Sequence, residues 1–286
     1  MRIGLSPRRT QALICAVLAT AAPVSAMAGV FDPYYERSFV LAANERCSLF
    51  QPQLTAALNA AAWQARGAAL RAGANDREVA ETAARARARA ASTACESDDL
   101  KTVSGRVENA FAGLSRTARM TFPGERASWS ADRSAYARPT WRLMQATTTG
   151  ASPVRFGVVG GLDRPDQLMS VVSWQGRSRP TSVRIVMRDQ TVTDRPWLAR
   201  ELPPQAQRRV FWASGVAAAD VSLLAENRTA GQAWVFPATA ADALSHLDPR
   251  EVFVVEFVFR DGSIATSTFE AGDFGAGRAF LAMGRI

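Results

Sequence analysis

The chain contains one histidine, His246, within Leu244-Ser245-His246-Leu247-Asp248-Pro249. A Ser–His–Asp triad would have to use that imidazole, yet no G-x-S-x-G elbow presents a serine to it. Near a helix C-terminus, where a cation is favoured, His246 is expected to be a cap or surface residue. Lys101 is the single lysine, and the S-x-x-K spacing that would let it activate Ser97 or Ser104 is missing. Paired carboxylates could cleave a glycoside from about 5–10 Å apart across a cleft. Glu251, Glu256 and Glu270 are the acids placed on expected strands, and no local pattern selects two of them. Glu96, Asp98 and Asp99 form the densest acidic group, but they precede a helix whose dipole they suit better than a calcium ion. Gly160-Gly161 and Gly275 with Gly277 lack the strand–loop–helix setting of a phosphate cradle and read as turns. The inventory therefore points to no cofactor, no metal and no catalytic centre.

Cys47 and Cys95 lack the C-x-x-C spacing of thiol oxidoreductases. Their chemistry depends on the compartment. Arg2, Arg8 and Arg9, an apolar run over residues 12–24 and then Ala26-Met27-Ala28 read as a secretory signal peptide cleaved after Ala26 or Ala28. The apolar run is too short to span hydrocarbon, which takes about 20 residues. Cys15 leaves with the signal. In an oxidising compartment the remaining even pair is expected to form a disulfide.

Composition divides the rest of the chain. Residues 29–121 are expected to form a helical bundle. Pro52 suits the first turn of one helix. Asn75 with Glu78 three residues on is a capping box for the next, and Ser97 or Asp98 caps a third. From Ala56 to Ala94, 18 of 39 residues are alanine, a helix-prone composition that permits close packing. Arg66, Arg71, Arg77, Arg85, Arg87 and Arg89 spread around these helices and read as a solvated face rather than a partner stripe. Residues 122–139, rich in Pro, Gly, Ser and Arg, are expected to be a linker.

Residues 140–286 carry β-branched runs and most of the tryptophans. Strands are expected at 140–148, 154–159, 168–174, 182–188, 209–212, 220–224, 233–236, 251–260 and 263–270, with short helices at 238–246 and 275–283. Asp261-Gly262 signals a tight hairpin. The fold class is α+β: a disulfide-stapled helical bundle, then an antiparallel β-sandwich or barrel-like domain with a short C-terminal helix.

Phe236-Pro237, the helix after it, the strand over 252–259, Asp261-Gly262, residues 266–269 and Gly272-Asp273-Phe274-Gly275-Ala276 follow one another in a recognisable layout. That layout, about 55 residues, resembles the tail of invasion-associated locus B-type periplasmic proteins. The resemblance implies a small exported β-rich domain of mostly undefined activity.

The formal charge is +8, carried by arginine; the skew reads first as codon bias and second as phosphate recognition. Acidic residues interspersed with the arginines, and export, argue against nucleic acid. An anionic envelope polymer, lipopolysaccharide or peptidoglycan, suits the surplus charge better; Arg177 and Arg179, in a loop before a strand that reads first as a solvated hairpin turn, are the candidate contact. The leading expectation is a non-catalytic periplasmic protein that binds a protein partner or such a polymer. The alternatives are a soluble carrier of a small apolar ligand and a carboxylate-based cell-wall hydrolase.

Overall fold

The computed structural model describes residues 25–175 and 179–286. Most of the expected signal peptide, and Arg177, lie outside the described residues.

Four helices come first: α1 (Ser25–Cys47), α2 (Pro52–Arg71), α3 (Asp76–Ser92) and α4 (Asp98–Ser115). Their starts follow from local chemistry. Pro52 sits in the first turn of α2, where its missing N–H costs nothing. The Asn75 side chain accepts from the Glu78 N–H at 3.0 Å, and the Glu78 carboxylate accepts from the Asn75 N–H at 2.9 Å, opening α3. Ser97 caps α4 by accepting from the Leu100 N–H. Buried alanines, among them Ala43, Ala86 and Ala90, let the helices approach closely. A disulfide joins Cys47 at the end of α1 to Cys95 between α3 and α4, with Cα atoms 5.6 Å apart.

Eleven strands and two short helices follow among the described residues: β1 (Arg119–Phe122), β2 (Trp129–Asp132), β3 (Thr140–Thr149), β4 (Ser152–Gly161), β5 (Arg164–Val172), β6 (Ser182–Arg188), β7 (Arg208–Trp212), β8 (Gly215–Ala218), β9 (Gln232–Phe236), α5 (Ala238–His246), β10 (Val252–Val258), β11 (Ile264–Glu270) and α6 (Phe274–Leu281). All pairings are antiparallel. One sheet runs β1-β2-β3-β4-β5-β9-β8 and the other β11-β10-β6-β7. Phe156, Phe253 and Phe269 pack as one aromatic group, with Trp129 against Phe156 and Phe274.

Four local expectations are corrected. The supposed linker contains β2, and β1 ends within its first residue. Trp129 is fully buried there, its indole N–H donating to the carbonyls of Glu270 and Ala271. Residues 220–224 form no strand; Asp220 accepts from the Ser222 N–H and starts a 3-10 turn at Val221–Leu223. Gly275 and Gly277 lie within α6 rather than in a turn. A Cβ on Gly277 would come within 2.6 Å of Leu143, and one on Gly275 within 2.9 Å of Trp63, so the missing side chains let α6 press onto the sheet and α2. Gly160 and Gly161 end β4.

The bundle and the sheets share a core. Ala57 and Ala60 of α2 belong to the same buried cluster as Trp129, Phe156 and Phe280, with Trp63, Phe111 and Leu114 packed on its margin.

Candidate binding groove at the bundle–sheet junction

Where α1, α2 and α3 meet the end of α5, an open groove of about 430 Å3 is lined by Tyr34, Trp63, Arg66, Asp76, Arg87 and His246. Trp63 and Arg66 are three residues apart on α2 and share a face. Asp76 is the first residue of α3, and His246 the last of α5. The Arg66 guanidinium donates to Asp76 Oδ1 at 2.9 Å and to the His246 carbonyl at 3.3 Å, and lies 5.6 Å from the Trp63 ring. The Trp63 and His246 rings meet edge-on at 5.4 Å. His246 Nδ1 sits 2.8 Å from the Asp242 carbonyl, within its own helix.

Behind this wall runs a chain of ion pairs. The second Asp76 oxygen is 3.9 Å from Arg188 of β6. Arg188 and Glu251, 2% and 1% exposed, form a bidentate pair at 2.6 and 2.8 Å. Glu251 also accepts from the N–H groups of Trp197 and Asp248, and Arg250 holds Asp248 at 2.8 and 2.9 Å. Burial raises the Asp76 carboxyl above the usual range, with Arg66 and then Arg188 pulling against that rise. Burial alone would lower the Arg188 guanidinium, but hydrogen bonds to Glu251 and the charges of Glu251, Asp76 and Asp248 outweigh it and raise it. On the next turn of α2, Arg71 pairs bidentately with Asp273 at 2.7 and 3.0 Å. Burial raises Asp273 as well.

Each acid named for glycoside cleavage is held by partners of its own. Glu251 is bound to Arg188. Glu256 is paired with Arg184 at 2.6 Å. Glu270 accepts from the backbone N–H groups of Arg126 and Ala127. Lys101 lies exposed 3.7 Å from Asp98, and Ser97 is spent on its cap. Among the described residues no group of three His, Cys, Asp or Glu side chains could hold a metal ion. Arg179 is exposed before β6. Arg77, Arg85, Arg87 and Arg89 lie on the exposed face expected of them, whereas Arg66 and Arg71 turn inward to Asp76 and Asp273. Tyr34 and Trp63 were not among the residues singled out by sequence. The available signal was Trp63 itself, the only tryptophan of an alanine-rich segment.

A second feature lies at the sheet edges. β7 and β8 are the last strands of their two sheets. β8 is exposed along its whole length, and Val210, Trp212 and Val216 are 40%, 49% and 51% exposed.

Compared with known proteins, the chain matches no protein-family model, no curated protein and no solved structure.

Proposed function

We propose that the protein is a non-catalytic, exported envelope protein that binds an anionic envelope polymer, peptidoglycan or lipopolysaccharide, in the junction groove. One observation carries this reading: an indole, a phenol and two guanidiniums line a single open trough. Aromatic faces suit sugar rings and arginines suit carboxylate or phosphate. An open trough admits a polymer that continues past both ends. Arg87, exposed and without an ion pair among the described residues, is the cation free to meet it. The pairing of Glu251, Glu256 and Asp248 with arginines supports binding over hydrolysis. An apolar carrier has less support, because each described cavity, from about 280 to 650 Å3, has a charged side chain in its wall.

The disulfide fits an oxidising compartment, and among the described residues no helix is long and apolar enough to cross a membrane. Both support a periplasmic location after signal cleavage. The order α5, β10, β11, α6 is the layout behind the resemblance to invasion-associated locus B-type proteins, which this reading includes. A second reading, a protein partner adding a strand at the β7–β8 edge, is favoured by the exposure of β8, since an open edge offers unpaired backbone groups.

Co-sedimentation with purified peptidoglycan tests the groove. Wild type should pellet with the polymer, and Trp63→Ala with Arg87→Ala should lose about tenfold in affinity, roughly 1.4 kcal/mol. Equal pelleting of wild type and variant would remove the groove from the account.

A further inference from the structure

Arg133 and Arg142 are both buried arginines, 1% and 2% exposed, yet they are satisfied very differently. The Arg133 guanidinium donates to the carbonyls of Ser115, Thr117, Met283 and Gly284 and so clamps the C-terminal end of the chain. Arg142 donates once, to the Ser134 carbonyl at 3.1 Å. Its Nε is buried without a partner, and among the described residues no acid forms an ion pair with it. A cation taken from water and left this way is unfavourable unless something else meets it.

The backbone is shaped around this side chain. Arg142 is the extra residue of a bulge in β3, lying between Trp141, opposite Val159, and Leu143, opposite Val158. At a second irregularity, where β4 pairs with β5, Gly160 alone stands opposite Pro165 and Asp166, so the extra residue is on β5. Bulges re-aim side chains, and they gather beside functional sites. At Gly160 a Cβ would lie 2.0 Å from Asp166 Oδ1 and 3.3 Å from the Arg285 guanidinium, so only glycine lets these two groups close over the strand. Arg142, Asp163, Arg164, Asp166 and Arg285 line a cavity of about 520 Å3; burial lowers the Arg142 guanidinium, with the charges of Asp166 and Asp132 pulling against that. Asp166 is engaged by Arg285 at 3.2 Å, and Asp132 by Arg119 at 2.9 Å. The Arg164 side chain is exposed and without an ion pair among the described residues.

We infer that this cavity is a binding site for a small-molecule oxyanion, a phosphate or a carboxylate, received by the buried Arg142 and by Arg164 and Arg285 at the mouth. A planar guanidinium offering its unused donors matches either group bidentately. The site is separate from the junction groove and does not rest on it.

Titration calorimetry with inorganic phosphate and with acetate, against chloride at constant ionic strength, tests the inference. The wild type should bind at least one of the two saturably. Tighter phosphate binding assigns a phosphoryl ligand, and tighter acetate binding a carboxylate. Arg142→Met should weaken the preferred anion at least tenfold, and Arg164→Ala, on an exposed side chain, several-fold. Asp166→Asn removes a negative charge from the cavity wall and should strengthen it several-fold, an effect that loss of structure would not produce. Absence of saturable binding, or affinities unchanged in Arg164→Ala and Asp166→Asn, would overturn the site.

Discussion

Asp76 shows how one side chain couples the groove to the fold. It lines the trough, receives Arg66 and faces the buried Arg188–Glu251 pair. Its carboxyl is raised by burial, so the folded state binds this proton at a pH where the unfolded chain, near about 3.9 for aspartate, has released it. The stability linked to that proton is present below the unfolded value and is lost as pH rises through the folded one. Asp76→Asn lacks this proton. Lowering pH from neutral towards about 4 should therefore shift the difference in unfolding free energy in favour of the wild type, as read from denaturant melts at a series of pH values. A difference that moves the other way contradicts the environment assigned to Asp76. Little of this was legible in sequence. Glu251 and Asp76 are 175 positions apart, and only the fold makes them neighbours of one arginine. His246 was more legible, because a helix end and a nearby carbonyl are local facts.

At the scale of elements, the readable parts were those whose cause is local. Pro52, Asn75 with Glu78, and Ser97 each set a helix start within a residue or two, and the alternation of Val183, Ile185 and Met187 set β6. The strands that escaped were β1, β2 and β8, four residues each, too short for a period to register against Pro- and Gly-rich surroundings. Trp129 is held in β2 by the carbonyls of Glu270 and Ala271, which the sequence places more than 140 residues away. The disulfide was legible from an expected signal peptide and the even pair of cysteines that follows it. It closes a separation of 48 residues, which on the chain-entropy account stabilises by roughly 4 kcal/mol. Cys47→Ser should lower the melting temperature by that order of free energy, while binding of the preferred oxyanion at Arg142, far along the chain from the bridge, should persist. A variant as stable as the wild type would show that the bridge constrains nothing the packing does not.

For the whole molecule, the division into bundle and β domain describes composition better than it describes packing. α2 and α6 contribute to one core with both sheets, and the ion pairs Arg188–Asp76 and Arg71–Asp273 tie α3 to β6 and α2 to the loop before α6. A shared core should melt as a unit, so scanning calorimetry should give one transition whose calorimetric and van't Hoff enthalpies agree. Two resolved transitions would restore two independent domains. The same architecture leaves the junction groove and the β7–β8 edge open, and the proposed function turns on which one is occupied.

Photo-crosslinking in living cells decides between them most directly, with the reactive residue placed at position 87 in one strain and at position 216 in another, and mass spectrometry of the products. Polymer binding predicts glycan or lipopolysaccharide fragments attached at 87. A single protein attached at 216, with nothing at 87, would contradict it and establish the sheet edge as the working surface.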